Sequence, residues 1–114
     1  MSVTVEGSGT QSATVTTEHT LDTITTAGVY VFNVDTANMV TGDVVELRIK
    51  KPVLSAGTTR VEFFAVFYGA QPTDDVLKTS VPFVVDATAG SCTVTLKQTF
   101  GTSRNFPWSI LAIG

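Results

Sequence analysis

Val44-Val45-Glu46-Leu47-Arg48-Ile49-Lys50-Lys51 places Val45, Leu47 and Ile49 at alternate positions against Glu46, Arg48 and Lys50. A period of two is that of a strand, whose successive side chains leave opposite faces, so the stretch predicts a half-buried strand. Pro52 cannot donate to a ladder and predicts that strand 44–54 lies at a sheet edge or bends there. Ser55, Ala56, Gly57 and Thr58 read as a hairpin connection, and residues 59–69 return as the next strand. The turn position then sets Lys50 opposite Glu62, Arg48 opposite Phe64 and Glu46 opposite Val66. Residues 63–68, Phe-Phe-Ala-Val-Phe-Tyr, are apolar on both faces. Such a strand is either covered on each side within the domain or meets another subunit with its outer face.

The same grammar extends in both directions. Residues 14–26 alternate weakly, and residues 29–35 are a run of aromatic and β-branched side chains. Residues 35–43 read as a loop or one helical turn. Residues 78–86 are extended but interrupted at Pro82, and residues 87–91 turn at Gly90. Residues 92–99 alternate Cys92, Val94 and Leu96 with Thr93, Thr95 and Lys97, and residues 104–113 set Phe106, Trp108 and Ile110 on one face. About seven or eight strands with regular turns and no helical period predict an all-β antiparallel β-sandwich, of jelly-roll or immunoglobulin-like topology.

Composition agrees. The 114 residues fit one domain, with 20 threonines and many valines that pack well on a pleated surface. Charged residues make up 15% of the chain against 43% hydrophobic ones, and mean hydropathy is +0.28, so part of the apolar surface is expected under a partner. A net charge of −3 gives no basic footprint, so no nucleic acid is expected as a partner. Neither a basic-then-apolar leader nor a run long enough for a membrane span is present, so a soluble protein without a membrane partner is expected. Residues 2–12, rich in Ser, Gly and Thr, read as a flexible N-terminal arm (1–12) outside a single domain (13–114). Val3 and Val5 alternate with Thr4 and Glu6, so the arm suits strand addition to a neighbour as well as a loose terminus.

Side chains with reactive chemistry are sparse. His19 is the only histidine and has no nucleophile motif near it, so it reads as a solvated strand residue. Cys92 is the only cysteine. It excludes an intrachain disulfide and reads as a small buried hydrophobe. Asp74 and Asp75 are adjacent in an extended loop and point apart, and no calcium-loop order or glycine-rich phosphate motif occurs. No catalytic residue, cofactor, metal or small-molecule substrate is therefore expected, and the reading is a structural or binding protein rather than an enzyme. The interface residues this predicts are Phe64, Val66 and Tyr68, the cations Arg48, Lys50, Lys51 and Arg60 near the hairpin tip, and Val3 and Val5 of the arm. The same cations with Glu46 and Glu62 also suit a cross-strand salt-bridge face. A carbohydrate platform would draw on Tyr30, Tyr68 or Trp108, although the alternation of its strand sets Trp108 toward the core.

Residues 21–111 resemble small virion proteins of tailed bacteriophages. The likeness rests on Gly42-Asp43-Val44-Val45-Glu46-Leu47-Arg48, on Val94-Thr95-Leu96-Lys97-Gln98-Thr99 and on Phe106-Pro107-Trp108. What the resemblance implies is a capsid decoration (cement) protein on the capsid surface of the virion. It implies a homo-oligomer, with a trimer favoured, that stabilises the head by binding the major capsid protein lattice. It carries over no individual contact residue. The alternatives are a tail or baseplate structural component and a carbohydrate-binding or adhesin module.

Overall fold

The computed structural model describes residues 2–86 and 88–114; Met1, in the expected arm, and Ala87, in the expected turn, lie outside the described residues. Nine strands appear among them: β1 (Val3–Ser12), β2 (Glu18–Ile24), β3 (Gly28–Asp35), β4 (Val44–Lys51), β5 (Arg60–Tyr68), β6 (Leu77–Thr79), β7 (Phe83–Val85), β8 (Cys92–Phe100) and β9 (Asn105–Ile113). The chain runs as one long hairpin with β4 and β5 at its tip. Moving outward from the tip, β3 pairs with β6 and β7, β2 with β8, and β1 with β9, all antiparallel. The hairpin then curls so that β9 also pairs β3 and β8 also pairs β4. Sheet A has the order β1-β9-β3-β6, with β7 also on β3, and sheet B the order β2-β8-β4-β5. This is the jelly-roll order of a β-sandwich, and it decides between the two topologies the strand pattern left open.

The core lies between the sheets because each strand keeps its period of two. Tyr30, Phe32 and Val34 of β3, Phe83 and Val85 of β7, and Phe106 and Ile110 of β9 meet Val45, Leu47 and Ile49 of β4 and Cys92, Val94 and Leu96 of β8. Each fully buried side chain of this size contributes about 1.5–3 kcal/mol by leaving water. The Tyr30 and Phe83 rings stack at 5.9 Å, and the Tyr30 hydroxyl donates to the Thr26 carbonyl at 2.6 Å.

Four expectations change. Residues 3–12 form the edge strand of sheet A rather than an arm outside the domain. Their glycines fit a packing need: a Cβ at Gly9 would stand 3.5 Å from Trp108 Nε1, and one at Gly7 only 2.7 Å from an Asp22 carboxylate oxygen and 3.4 Å from Trp108 Cη2. Trp108 lies over bare backbone there, so the composition that suggested disorder makes room for an indole. Second, β4 is a central strand, flanked by β8 and β5, and Pro52 lies just past its last residue, where no ladder donor is lost. Third, a bulge after Ile49 skips Glu62, so Lys50 faces Val61 and Lys51 faces Arg60, while Arg48 does face Phe64 and Glu46 faces Val66. The strand expected over 78–86 is divided at Ser80-Val81-Pro82 into β6 and β7. With β1, this division accounts for nine strands in place of seven or eight.

Candidate docking surface

The outer face of sheet B is built in rows by the strand registers. Phe100, Val44 and Tyr68 form one row across β8, β4 and β5. The next is Glu18, Lys97, Glu46 and Val66, followed by Thr20, Thr95, Arg48 and Phe64, and then Thr23, Thr93, Lys50 and Val61. An aromatic and aliphatic margin therefore runs along β5 and turns the corner to Phe100, beside a ladder of charges and threonines. Tyr68 is 70% exposed, Phe100 67% and Phe64 49%, an unusual cost for three aromatic rings on one surface.

The charge ladder is tied down. Arg48 Nη2 meets Glu46 Oε1 at 2.8 Å while its guanidinium lies 4.9 Å from the centre of the Phe64 ring, a cation–π contact across the hairpin. Lys50 Nζ meets Glu18 Oε2 at 2.5 Å, and the Thr95 hydroxyl donates to that same oxygen at 2.7 Å. The Lys50 ammonium and then the Thr95 hydroxyl hold the Glu18 carboxyl below its usual value, against a smaller opposing effect of burial. Lys97 has no ion pair among the described residues, which leaves a free cation in the middle of the face.

Phe100 is held outward by a buried polar knot beneath it. Gln98 Nε2 donates to the carbonyls of Phe100 (3.0 Å) and Thr102 (2.7 Å), and its Oε1 accepts the Arg104 N–H at 3.1 Å. Asp43, 1% exposed, accepts from the N–H of Val40 at 2.9 Å, the N–H of Thr102 at 3.3 Å and Arg104 Nε at 2.8 Å. Burial pushes the Asp43 carboxyl up, but the Val40 N–H, Arg104 and the Thr102 N–H together outweigh it and hold the group below its ordinary value. The loop that carries Phe100 is thereby fixed to the start of β4.

Searches against family models, curated proteins and solved structures find no match to this chain. Geometry and residue chemistry therefore carry the functional reading.

The structure gathers Phe64, Val66, Tyr68, Arg48 and Lys50 on this single face. Lys51 and Arg60 sit at its hairpin end: Lys51 turns to Glu62 at 3.2 Å and donates to the Val84 carbonyl of β7, and Arg60 is exposed beside the open tip of Val53 and Leu54. Val3 and Val5 stand apart, on the outer face of sheet A, because β1 belongs to the opposite sheet. Of the three rings considered for a carbohydrate platform, only Tyr68 is exposed: Tyr30 is in the core and Trp108 packs against it. Sequence reasoning missed Phe100. Its position two past Gln98 marks it as inward, but a bulge between Val44 and Val45 turns it out.

The reactive side chains are tied up in the fold. His19 Nε2 accepts the Thr14 N–H at 3.0 Å and pins the turn before β2. Cys92 is fully buried, and that burial pushes its thiol up to about 11. Asp75 pairs with Lys78 at 3.3 Å, and among the described residues no three His, Cys, Asp or Glu side chains converge as a metal-binding group.

Proposed function

We propose that the protein is a virion structural component, a capsid decoration (cement) protein of a tailed bacteriophage that docks the outer face of sheet B on the major capsid protein lattice. The observation that carries the reading is the margin of exposed Phe64, Tyr68 and Phe100 with half-buried Val66, beside Arg48 and Lys50 on one sheet face. Aromatic side chains and arginine on a flat surface are the composition of interface hot spots. Five of the seven cations lie on sheet B (Arg48, Lys50, Lys51, Arg60 and Lys97) with four of the ten acids (Glu18, Asp22, Glu46 and Glu62), so this sheet of an acidic protein carries a small net positive charge. The complementary surface is an acidic one with apolar gaps. Binding only to the assembled shell shifts it toward the bound form by mass action, and repeated sites on a lattice add avidity to contacts that are individually weak. The jelly-roll order recurs in viral capsid domains and in lectins, a likeness of fold alone.

The test is cosedimentation with expanded phage heads that lack their decoration protein. The wild-type chain is expected to pellet saturably with the heads, and Phe64→Ala with Tyr68→Ala to weaken binding at least about tenfold, the loss of one hot spot. Retention on tail tubes or baseplates instead of heads would move the same surface to a tail component. A second reading, a carbohydrate-binding or adhesin module, is favoured by three exposed rings on one face. It predicts glycan-array binding that Tyr68→Ala abolishes.

A further inference from the structure

The opposite face of the sandwich has a different character. In sheet A the register aligns Val3, Ile113, Val29 and Val84 in one row across β1, β9, β3 and β7, and Val5, Leu111 and Val31 in the next. These seven side chains are all aliphatic. The following row is Ser8, Ser109, Asn33 and Thr79, uncharged and polar. Asp35, beyond that row and paired with Leu77, is the one ionisable residue at an outward register position of the described sheet. Val5 is 62% exposed and Val84 54%, with Val31, Leu111 and Ile113 half-buried between the two edges. Four of the seven, Val3, Val5, Val29 and Val84, are more than a third exposed, which makes a contiguous apolar patch on the order of the few hundred Å² that mark an interaction site.

We infer that this aliphatic face joins two copies of the chain, packed sheet to sheet. A flat surface of branched aliphatic side chains without charge or directional hydrogen bonds is matched by another of its kind, at the roughly 10 Å spacing of stacked sheets. The only such face among the described residues is sheet A itself. The outer face of sheet B carries a charge in three of its four rows, so an A-to-B contact would bury the Lys97 ammonium and desolvate the Arg48–Glu46 and Lys50–Glu18 pairs against a surface that offers them nothing in return. A twofold contact of sheet A on itself buries none. The patch supplies part of the roughly 800 Å² per partner of a standard interface, and the Ser8 to Thr79 row with the strand edges supplies a polar rim.

Rim charges agree with one orientation. Glu6 is exposed in the β1 bulge, while Lys51 reaches the Val84 carbonyl at the opposite edge. A twofold axis along the strands lays the β1 edge of each copy over the β7 edge of the other and brings Glu6 toward Lys51. The inference is independent of the docking reading: it concerns the other face and needs no capsid.

The test is native mass by light scattering after gel filtration, at about 100 µM protein, above the micromolar Kd of a modest interface. The expected mass is twice 12.1 kDa. Val5→Glu with Val84→Glu, both at well-exposed sites, is expected to return the mass to one copy with an unchanged urea midpoint. Val5→Thr with Val84→Thr, which keeps shape and strand preference, is expected to weaken the pair at least tenfold, and Tyr68→Glu on sheet B to leave it intact. A wild-type chain of one copy or three, a pair indifferent to the Val5 and Val84 variants, or one lost on Tyr68→Glu would overturn the inference.

Discussion

Asp43→Ala removes the carboxylate that fixes the Phe100 loop to the start of β4, and the cost can be worked from its contacts. Two backbone N–H groups, of Val40 and Thr102, lose their acceptor, and Arg104 loses its counter-charge at 2.8 Å. Hydrogen bonds to a charged group are worth about 1.5–3 kcal/mol each, and breaking a buried ion pair costs about 3–5 kcal/mol. Arg104 keeps 27% of its side chain in water and recovers part of that, so a net loss of about 3 kcal/mol is expected, or roughly 12 °C in Tm for a chain of this size. Asp43→Asn keeps one acceptor and is expected to lose about half as much. The pH dependence has a definite sign. The folded carboxyl sits below its unfolded value, so as pH falls the unfolded chain takes up the proton first. The stabilisation is fully present above the unfolded pKa of about 3.9 and is lost as pH falls through the folded value. Urea unfolding followed by Trp108, the only tryptophan, reads this directly at pH 7 and at a pH near 2. A loss under about 1 kcal/mol at pH 7, or an equal loss at both pH values, would refute the assignment of Asp43 as a charged clamp.

Further outcomes follow from the same contacts. Gly101→Ala is expected to destabilise by about 2 kcal/mol or more, since Gly101 has φ +96° and a Cβ there would stand 2.0 Å from Asp43 Oδ1; combined with Asp43→Ala in the same urea assay, the two losses should add to less than their sum. Cys92 is expected to resist a thiol reagent at pH 8 until the chain unfolds, given its full burial and a thiol pushed up to about 11; fast labelling of the folded protein would contradict its place in the core. Glu18→Gln is expected to cost under about 1 kcal/mol, shrinking with added salt, because the Lys50 pair lies on an outer face.

The hairpin was the most legible part of the chain, and for a local reason. Its alternation from Val44 to Lys51 and its turn residues specify face and register together, and Arg48 with Phe64 and Glu46 with Val66 follow from them. Reading failed where a bulge intervened. One extra residue reverses every later side chain without leaving a mark on composition, which misplaced the partner of Lys50 and hid the outward turn of Phe100. The N-terminal segment misled because glycine beside Trp108 looks in sequence like glycine in a tail. Strand period also cannot say which sheet a strand joins. Val3, Val5 and Phe64 are all interface candidates in the sequence, and only the pairing of β1 with β9 sets the two valines on the opposite side of the sandwich. The jelly-roll order itself is written in contacts between residues distant in sequence, such as Val5 with Leu111, that no local pattern encodes.

The most direct measurement of the central claim is the binding of the wild-type chain to expanded phage heads, set beside Arg48→Glu and the Phe64→Ala with Tyr68→Ala pair, over a salt series. The account predicts saturable binding that weakens with salt, at least a tenfold loss in each variant, and full binding by the Val5 and Val84 variants. Heads that do not retain the chain, or that retain the sheet B variants as well as the wild type, would contradict it.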